Sequence, residues 1–548
     1  MTSAGGAPDR HERSNSTGQR ARRGLPLLQR SIRYHRPRAP FCGVGYCTNC
    51  LVRTDERLNV RACREGFPTE GVRPTSQAWP SPRYDLFGVL DLLLPRGIDT
   101  LHGFRRPPWA VRAYQRVVRR LAGYDDPSSI SRPTHFDPPS VRTVDVAIVG
   151  HGTSGAAAAA ELRARGVDSL LTLDRERESA TPGSRPDLEG TSAVFLPPPS
   201  AGAAHPFRLL ATQGSSRSIL VHARRVVVAT GGYDASLLFA GNDRPGVMTA
   251  EGAMRFAREG FTPFDRAVVV GGGERARSVL ERFPGQVEAI VAPGAIDPDL
   301  TRAASDRRVP LYPRSLLVST HGRRAVRSVR IRSRSRGPYA TLGADAVVLA
   351  HRRIPHPQLF FQAGARMEWR GANGAYYPRT DVHGATSVEG LYAIGEAAGT
   401  VEANGAHASG QATGRALAES EPPSLDLDAP GGAPTPTELE GYYRELLEEP
   451  EGLSKWIACP CEDVLLREVK EASARGYRGI EVVKRYTGLG TGLCQGRYCL
   501  PDALLVLSIL EGRPPSDVGY ITQRPPVVPT TLGQLASLAD ALGAEPGR

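Results

Sequence analysis

Short β-branched runs that end directly in glycines occur twice in the chain, and each is followed by a helical pattern. Val144 to Val149 is apolar and largely β-branched, which predicts a buried parallel strand. Gly150-His-Gly152-Thr-Ser154-Gly155 follows, and then an alanine-rich helix over Ala156 to Arg165. The second unit starts at Ala267 to Val270, turns at Gly271-Gly-Gly273-Glu-Arg-Ala276 and predicts a helix to about Phe283. A further apolar strand over Ala346 to Ala350 leads towards Gly390 to Glu396 and a glycine- and alanine-rich helix, Gly405 to Leu417. Alternating strands and helices of this kind predict an α/β fold with parallel sheets.

Glycines at the first turn allow the backbone to approach a pyrophosphate, and the helix N-terminus offers N–H groups and a positive dipole end. The next strand, Ser169 to Leu173, ends at Asp174, 19 residues after Gly155, where a carboxylate can accept from an adenosine ribose. Strand, turn, helix and acid together point to a dinucleotide site at Gly150, Gly152, Ser154, Gly155 and Asp174. The motif alone does not separate FAD from NAD. Two other segments favour FAD: Val226 to Gly232, with Thr230 and Gly231 closing a strand, and Gly395-Glu396, at the place of a flavoprotein Gly-Asp pair. The second turn, with Gly271 and Gly273, fits either NAD(P) or no cofactor. Its next strand, Val287 to Val291, runs into Ala292-Pro293 without an acid, which favours the second option.

The eight cysteines form two groups of four. Cys42, Cys47, Cys50 and Cys63 read C-x4-C-x2-C, twelve residues, C; Cys459, Cys461, Cys494 and Cys499 read C-x-C, 32 residues, C-x4-C. Four thiolates with glycine-rich loops between them suit a [2Fe–2S] cluster, whose sulfurs need inward-turned backbone N–H groups. Zinc is the alternative, but its sites favour paired C-x2-C knuckles. In the second group, Asp463 is expected to cap a helix, and Arg497 to offset the charge of the cluster.

The net charge of +12 raises nucleic acid as a partner. Only Lys455, Lys470 and Lys484 are lysine, however, so the excess is arginine, spread without aromatic interleaving, and nucleic-acid binding is not expected. No apolar run reaches the roughly 18 residues of a membrane span. Thiols in two metal-like groups suit a reducing, cytoplasmic setting.

The stretches Tyr34 to Cys42, Asn59 to Cys63 and Ala78 to Arg83 resemble the N-terminal part of the α subunit of heterotetrameric sarcosine oxidase. They also resemble the [2Fe–2S] subunits of hydrogen cyanide synthase and opine oxidases. Residues 143 to 420 look like the flavoprotein part of those subunits and of dye-linked proline dehydrogenase. Cys459 to Cys499, with Lys484-Arg-Tyr486 and Gln495 to Cys499, is similar to the bacterioferritin-associated-ferredoxin-like [2Fe–2S] domain. The resemblance implies a two-dinucleotide-domain flavoprotein flanked by two iron–sulfur domains. It divides the chain into a disordered 1–30, a ferredoxin-like 31–75, a connector 76–142, an FAD domain 143–250 with 340–420, and a second nucleotide domain 251–339. A linker 421–452, a helical [2Fe–2S] domain 453–512 and a tail 513–548 follow. Residues 1 to 30 predict no strand, so the opening hairpin of the first domain is expected to be missing.

The implied function is an α-type electron-transfer subunit of an amine or amino-acid dehydrogenase or oxidase, using FAD and two [2Fe–2S] clusters. Its partner is then a flavin-containing β subunit that meets the substrate; no catalytic residue is assigned on this chain. No counterpart of the folate-binding domain of sarcosine oxidase α is expected here, so methylene-tetrahydrofolate formation is not implied. A self-contained NAD(P)H-dependent reductase and a non-catalytic iron–sulfur scaffold are the alternatives.

Overall fold

The computed structural model describes residues 26–31, 33–54, 57–64, 73–74, 78–89, 107–121, 137–176, 183–198, 202–214, 216–334, 337–400, 402–419, 437–449 and 456–543. Two sheets form the centre. In the first, strands Leu170–Leu173, Ser140–Val149, Arg217–Val228 and Leu391–Ala393 run parallel side by side. Strands Phe207–Gln213 and Thr191–Phe195 extend it antiparallel. The parallel strands are β-branched and buried at their C-terminal halves, as expected where helices cover both faces. Helices Thr153–Ala164 and Ala403–Glu419 pack on one another, and Gly410 allows this: a Cβ there would lie 2.2 Å from the Ser154 carbonyl oxygen.

The second sheet has the order Val247–Thr249, Ala346–Leu349, Ala267–Val270, Val287–Val291, Leu311–Tyr312, all parallel. Ala346–Leu349 therefore belongs with the second nucleotide-type unit and not, as the division at residue 340 has it, with the first. Its short apolar run is compatible with either sheet, and only pairing with Ala267–Val270 decides. The three-stranded antiparallel sheet Ser315–His321, Ser328–Ser333 and Tyr339–Gly343 lies in the same stretch of chain.

Three other expectations change. Gln29–Arg30 pairs antiparallel with Pro37–Arg38, so strand pairing exists where residues 1–30 predict none; two-residue strands are too short to leave an alternating pattern. The linker 421–452 contains the helix Glu438–Leu447, which buries Leu439, Tyr442, Tyr443 and Leu446. The tail 513–548 contains Leu532–Gly543, whose Leu538 packs with Val194, Leu210 and Leu220 on the first sheet. Residues 1–25, 126–136 and 421–436, where disorder and linkers are expected, lie outside the described residues. Among the described residues no helix is long and apolar enough to cross a membrane.

Candidate functional site

Gly150 ends its strand at φ +104, and a Cβ there would sit 2.2 Å from the Ala229 carbonyl oxygen. Gly155 is pressed equally hard: a Cβ would lie 2.0 Å from the oxygen of Gly150. Gly152 faces open space. The helix Thr153–Ala164 has no side-chain cap, so its first N–H groups keep their hydrogen-bonding capacity at this turn.

A cavity of about 730 Å³ opens in front of the turn, lined by Gly150, Gly152, Asp174, Thr230, Gly231 and Glu396. Ser154, Gly155 and Gly395 do not line it. Instead they pack the turn against the Gly395-Glu396 segment, where a Cβ on Gly395 would lie 2.5 Å from Ser154 Oγ. The Asp174 carboxylate accepts from the His151 and Glu176 backbone N–H groups at 2.6 and 2.7 Å, which fixes it at the cavity edge with lone pairs to spare. Glu396 accepts from the Gly232 N–H at 2.9 Å and from Arg353 Nε at 2.6 Å. Burial alone would lower the Arg353 pKa, but Glu396, Asp234 and Glu251 outweigh it and raise it. His356 lies on the same wall with its pKa well below the usual range, through burial and the nearby Arg497, Arg175 and Arg353 cations. It is therefore neutral near pH 7, and its Nε2 is 3.0 Å from the Tyr46 hydroxyl.

All eight cysteines are buried and reduced. In the first group Cys50 Sγ is 3.5 Å from Cys63 Sγ, and the Cys47 N–H donates to Cys42 Sγ at 3.4 Å. Cys42 also touches the thiols of Cys47 and Cys63. In the second group Cys459 meets Cys499 and Cys461 meets Cys494. Among the described residues no set of three or more His, Cys, Asp and Glu side chains is disposed around one ion. The first four thiols thus touch in the order Cys47, Cys42, Cys63, Cys50 and the second four in two pairs, so each set is gathered closely enough for a dinuclear core with two thiolates on each iron. Asp463 does not cap a helix. It sits at φ +51, and its carboxylate accepts from the N–H groups of Arg33 and Tyr34 and from Arg38, while Leu465 takes the N-cap position.

The two cysteine groups share one core. The Tyr498 ring, next to Cys499, meets Phe41, next to Cys42, edge-on at 5.2 Å. The Thr48 hydroxyl bonds to the Cys461 sulfur. Arg38, 1 % exposed, lies between Asp463 and Asp243, 3.1 Å from the latter. Both loops also reach the cavity: Val44 and Tyr46 from the first, Arg497 from the second, with Val527 and Val528 beyond it. Sequence reasoning missed Tyr46 as a wall residue and placed Arg497 at the cluster alone, because contacts across hundreds of residues leave no local signal.

Gly271 and Gly273 do not reach this cavity. The turn has the expected form, with Gly271 at φ +154 against the Ala350 carbonyl. Gly273 faces open space, while side chains crowd the turn elsewhere. Arg275 forks onto Asp234 at 3.0 Å through both nitrogens. A Cβ on Gly272 would lie 2.3 Å from the Ala295 oxygen, and the Glu438 carboxylate rests against Gly294, where a ribose-binding acid would be sought. These contacts leave less room at Gly272 and Gly294 than the first turn has at Gly152.

A dinucleotide turn, an acid at the next strand end and two thiol groups on a pair of α/β sheets are the parts of a protein that binds a dinucleotide and iron–sulfur clusters. Residues 21–73 match the 2Fe-2S iron-sulfur cluster binding domain, and residues 454–539 match the sarcosine oxidase A3 domain. The A-type subunit of opine oxidase from Agrobacterium tumefaciens (strain Ach5) is 30% identical over 397 residues, 64% of this chain and 76% of that protein. The α subunit of sarcosine oxidase from Rhizobium meliloti (strain 1021) is 25% identical over 560 residues, 93% of this chain and 55% of that protein. The chain thus spans about half the length of that relative. The crystal structure of L-proline dehydrogenase from P. horikoshii has the same fold, with a TM-score of 0.54 at 23% identity over 73% of this chain and 81% of that one. The chain belongs to the family of opine oxidase A-type and sarcosine oxidase α subunits. Its cofactors are FAD and [2Fe–2S] clusters.

Proposed function

We propose that this chain is the electron-transferring α-type subunit of a complex that oxidises an amine or amino acid at a CH–NH or CH–NH2 bond, of sarcosine, proline, opine or glycine type. The observation that carries this reading is the cavity walled by the Gly150–Gly155 turn and by both cysteine loops. In it, Gly150, Gly152 and the helix N-terminus hold the pyrophosphate, with Ser154 and Gly155 packing the turn. Asp174 holds the adenosine ribose, while Thr230, Gly231, Gly395 and Glu396 border the flavin side. Cys42, Cys47, Cys50 and Cys63 hold one cluster; Cys459, Cys461, Cys494 and Cys499 hold the other. Bound FAD exchanges electrons in pairs or singly and the clusters singly, and the protein fixes their spacing and potentials. Gly271 and Gly273 carry no cofactor in this reading.

The cavity suits a cofactor better than an amine substrate. Its histidine is neutral and bonded to Tyr46, and Glu396 and Glu251 are engaged by Arg353. Substrate oxidation accordingly falls to a flavin-containing β subunit, and this chain receives the electrons. A cytoplasmic setting, where thiols stay reduced, belongs to the same proposal.

Anaerobic optical and EPR spectroscopy of the purified chain, with iron, sulfide and flavin counts, tests it. The expected result is about four irons and one FAD per chain, unreduced by NADH or NADPH, and reduced by substrate once a β partner is added. Rapid bleaching by NADH would return the self-contained reductase, and zinc without flavin the scaffold.

A further inference from the structure

Arg497 is the unusual charge of the cavity. The other arginines that reach the wall are paired with carboxylates or open to solvent. Arg353 has Glu396 at 2.6 Å, Arg175 has Glu176 at 3.2 Å, Arg255 has Glu176 at 3.4 Å, and Arg258 is exposed. Arg497 is 5 % exposed, yet among the described residues its Nη1 and Nη2 donate only to the backbone oxygens of Cys494 and Val527, at 3.0 and 3.2 Å. Its buried Nε has no hydrogen-bond partner among the described residues. Its guanidinium lies 4.7 Å from the centre of the Tyr46 ring, on the cavity wall. A buried guanidinium with an unsatisfied N–H and no carboxylate is costly unless an anion completes it. The cavity in front of it is where the anion can come from.

We infer that Arg497 is an anion-recognising residue of the dinucleotide site, and that its place on the loop between Cys494 and Cys499 links occupancy of the cavity to loading of the second cysteine group. This rests on the proposed reading of the cavity as the FAD site. FAD brings two sources of negative charge, the pyrophosphate in every state and the isoalloxazine ring when reduced. Either one meets a fixed cation that no carboxylate neutralises. Because Cys494 supplies both a thiolate and the carbonyl that holds Nη1, ordering the loop around a cluster also orients the guanidinium. Linkage then requires reciprocity: if a loaded cluster strengthens FAD binding by some factor, bound FAD strengthens cluster loading by the same factor.

The test uses the full chain and the variants Arg497→Met, Arg497→Lys and Cys494→Ser, with FAD and ADP as probes. FAD and ADP dissociation constants are measured beside iron content and the flavin midpoint potential. For Arg497→Met, FAD binding is expected to weaken by about ten- to a hundredfold, the span of a charge-assisted hydrogen bond, with Arg497→Lys recovering most of it. Equal weakening for ADP assigns the contact to the pyrophosphate. Unchanged ADP and oxidised-FAD affinity with a lowered flavin potential assigns it to the reduced ring. If Arg497→Met loses iron, Arg497→Lys with full iron carries the comparison. Cys494→Ser should weaken FAD binding by a factor similar to that of Arg497→Met. Wild-type FAD affinity and potential in Arg497→Met would overturn the assignment, and wild-type FAD affinity and potential in Cys494→Ser would overturn the linkage. Failure of the unaltered chain to bind either probe would instead remove the reading of the cavity itself.

Discussion

The turns at Gly150 and Gly271 are built alike and end differently. Each follows a four-residue buried stretch of β-branched strand, begins with a positive-φ glycine and presses that glycine onto the carbonyl of a neighbouring strand end, Ala229 in one case and Ala350 in the other. Each opens a helix that has no side-chain cap. They part at what the rest of the chain lays over them. The first opens onto a cavity whose far walls come from the cysteine loops. The second is flanked by the Arg275–Asp234 fork, the Ala295 carbonyl and the Glu438 carboxylate, and no cysteine loop faces it among the described residues that line the cavity. A strand–glycine–helix sequence therefore specifies a turn, while distant packing decides whether that turn receives a ligand.

Matched substitutions probe this contrast most strongly. Gly152 faces open space inside the cavity, so Gly152→Val should weaken FAD binding by about a hundredfold or more, roughly 3 kcal/mol, with iron content retained. Equilibrium titration of flavin-free protein checks this, and normal flavin content would remove the first turn from the site. A Cys494→Ser variant should reduce iron from about four to about two per chain and leave the EPR signal of the other cluster in place. Retention of all the iron would break the second cysteine group as a unit. Asp174→Asn keeps the shape but gives up the charge that its two backbone donors and a ribose share. About tenfold weaker FAD binding is expected, close to 1.4 kcal/mol.

Two smaller effects refine the picture. Burial alone would raise the Glu176 pKa, but Arg64, Arg175 and Arg255 hold it at about 2, against an ordinary value of 4.5. A lowered carboxylate pKa stabilises the fold above the unfolded value, and that stabilisation is lost as pH falls from 4.5 through about 2. The urea stability of the unaltered chain should exceed that of Glu176→Gln near pH 7, and the difference should vanish across that acid window. Least of all, Gly273→Val should leave flavin and iron unchanged and shift stability by no more than about 0.5 kcal/mol, since nothing lies within 4 Å of a Cβ there. Loss of flavin in this variant would erase the distinction between the turns.

Features that depend on neighbours in sequence were readable from the chain. The Gly150–Gly155 turn, Asp174 at the end of its strand and the spacing of the cysteines are local patterns with direct chemical meaning. The roles of Tyr46, Arg497 and Val527 were not readable, because each becomes part of the cavity only when loops far apart in sequence meet. Asp463 shows the same limit: its position before a helical pattern suggests a cap, but the backbone of Arg33 and Tyr34 takes its carboxylate instead. Ala346–Leu349 is an apolar strand in any reading, and the sheet it joins depends on a partner about 80 residues earlier.

The Arg38–Asp463 pair also sets an order of events during synthesis. Its partners are 425 residues apart, and both side chains are almost fully buried once they meet. At a ribosomal pace of about 5–20 residues per second, Arg38 waits roughly 20 to 85 s for Asp463 to emerge. Throughout that interval the Cys42–Cys50 loop lacks the contacts that bury it against the second cysteine group. The core that the two cysteine groups share can therefore close only after more than four-fifths of the chain has been made.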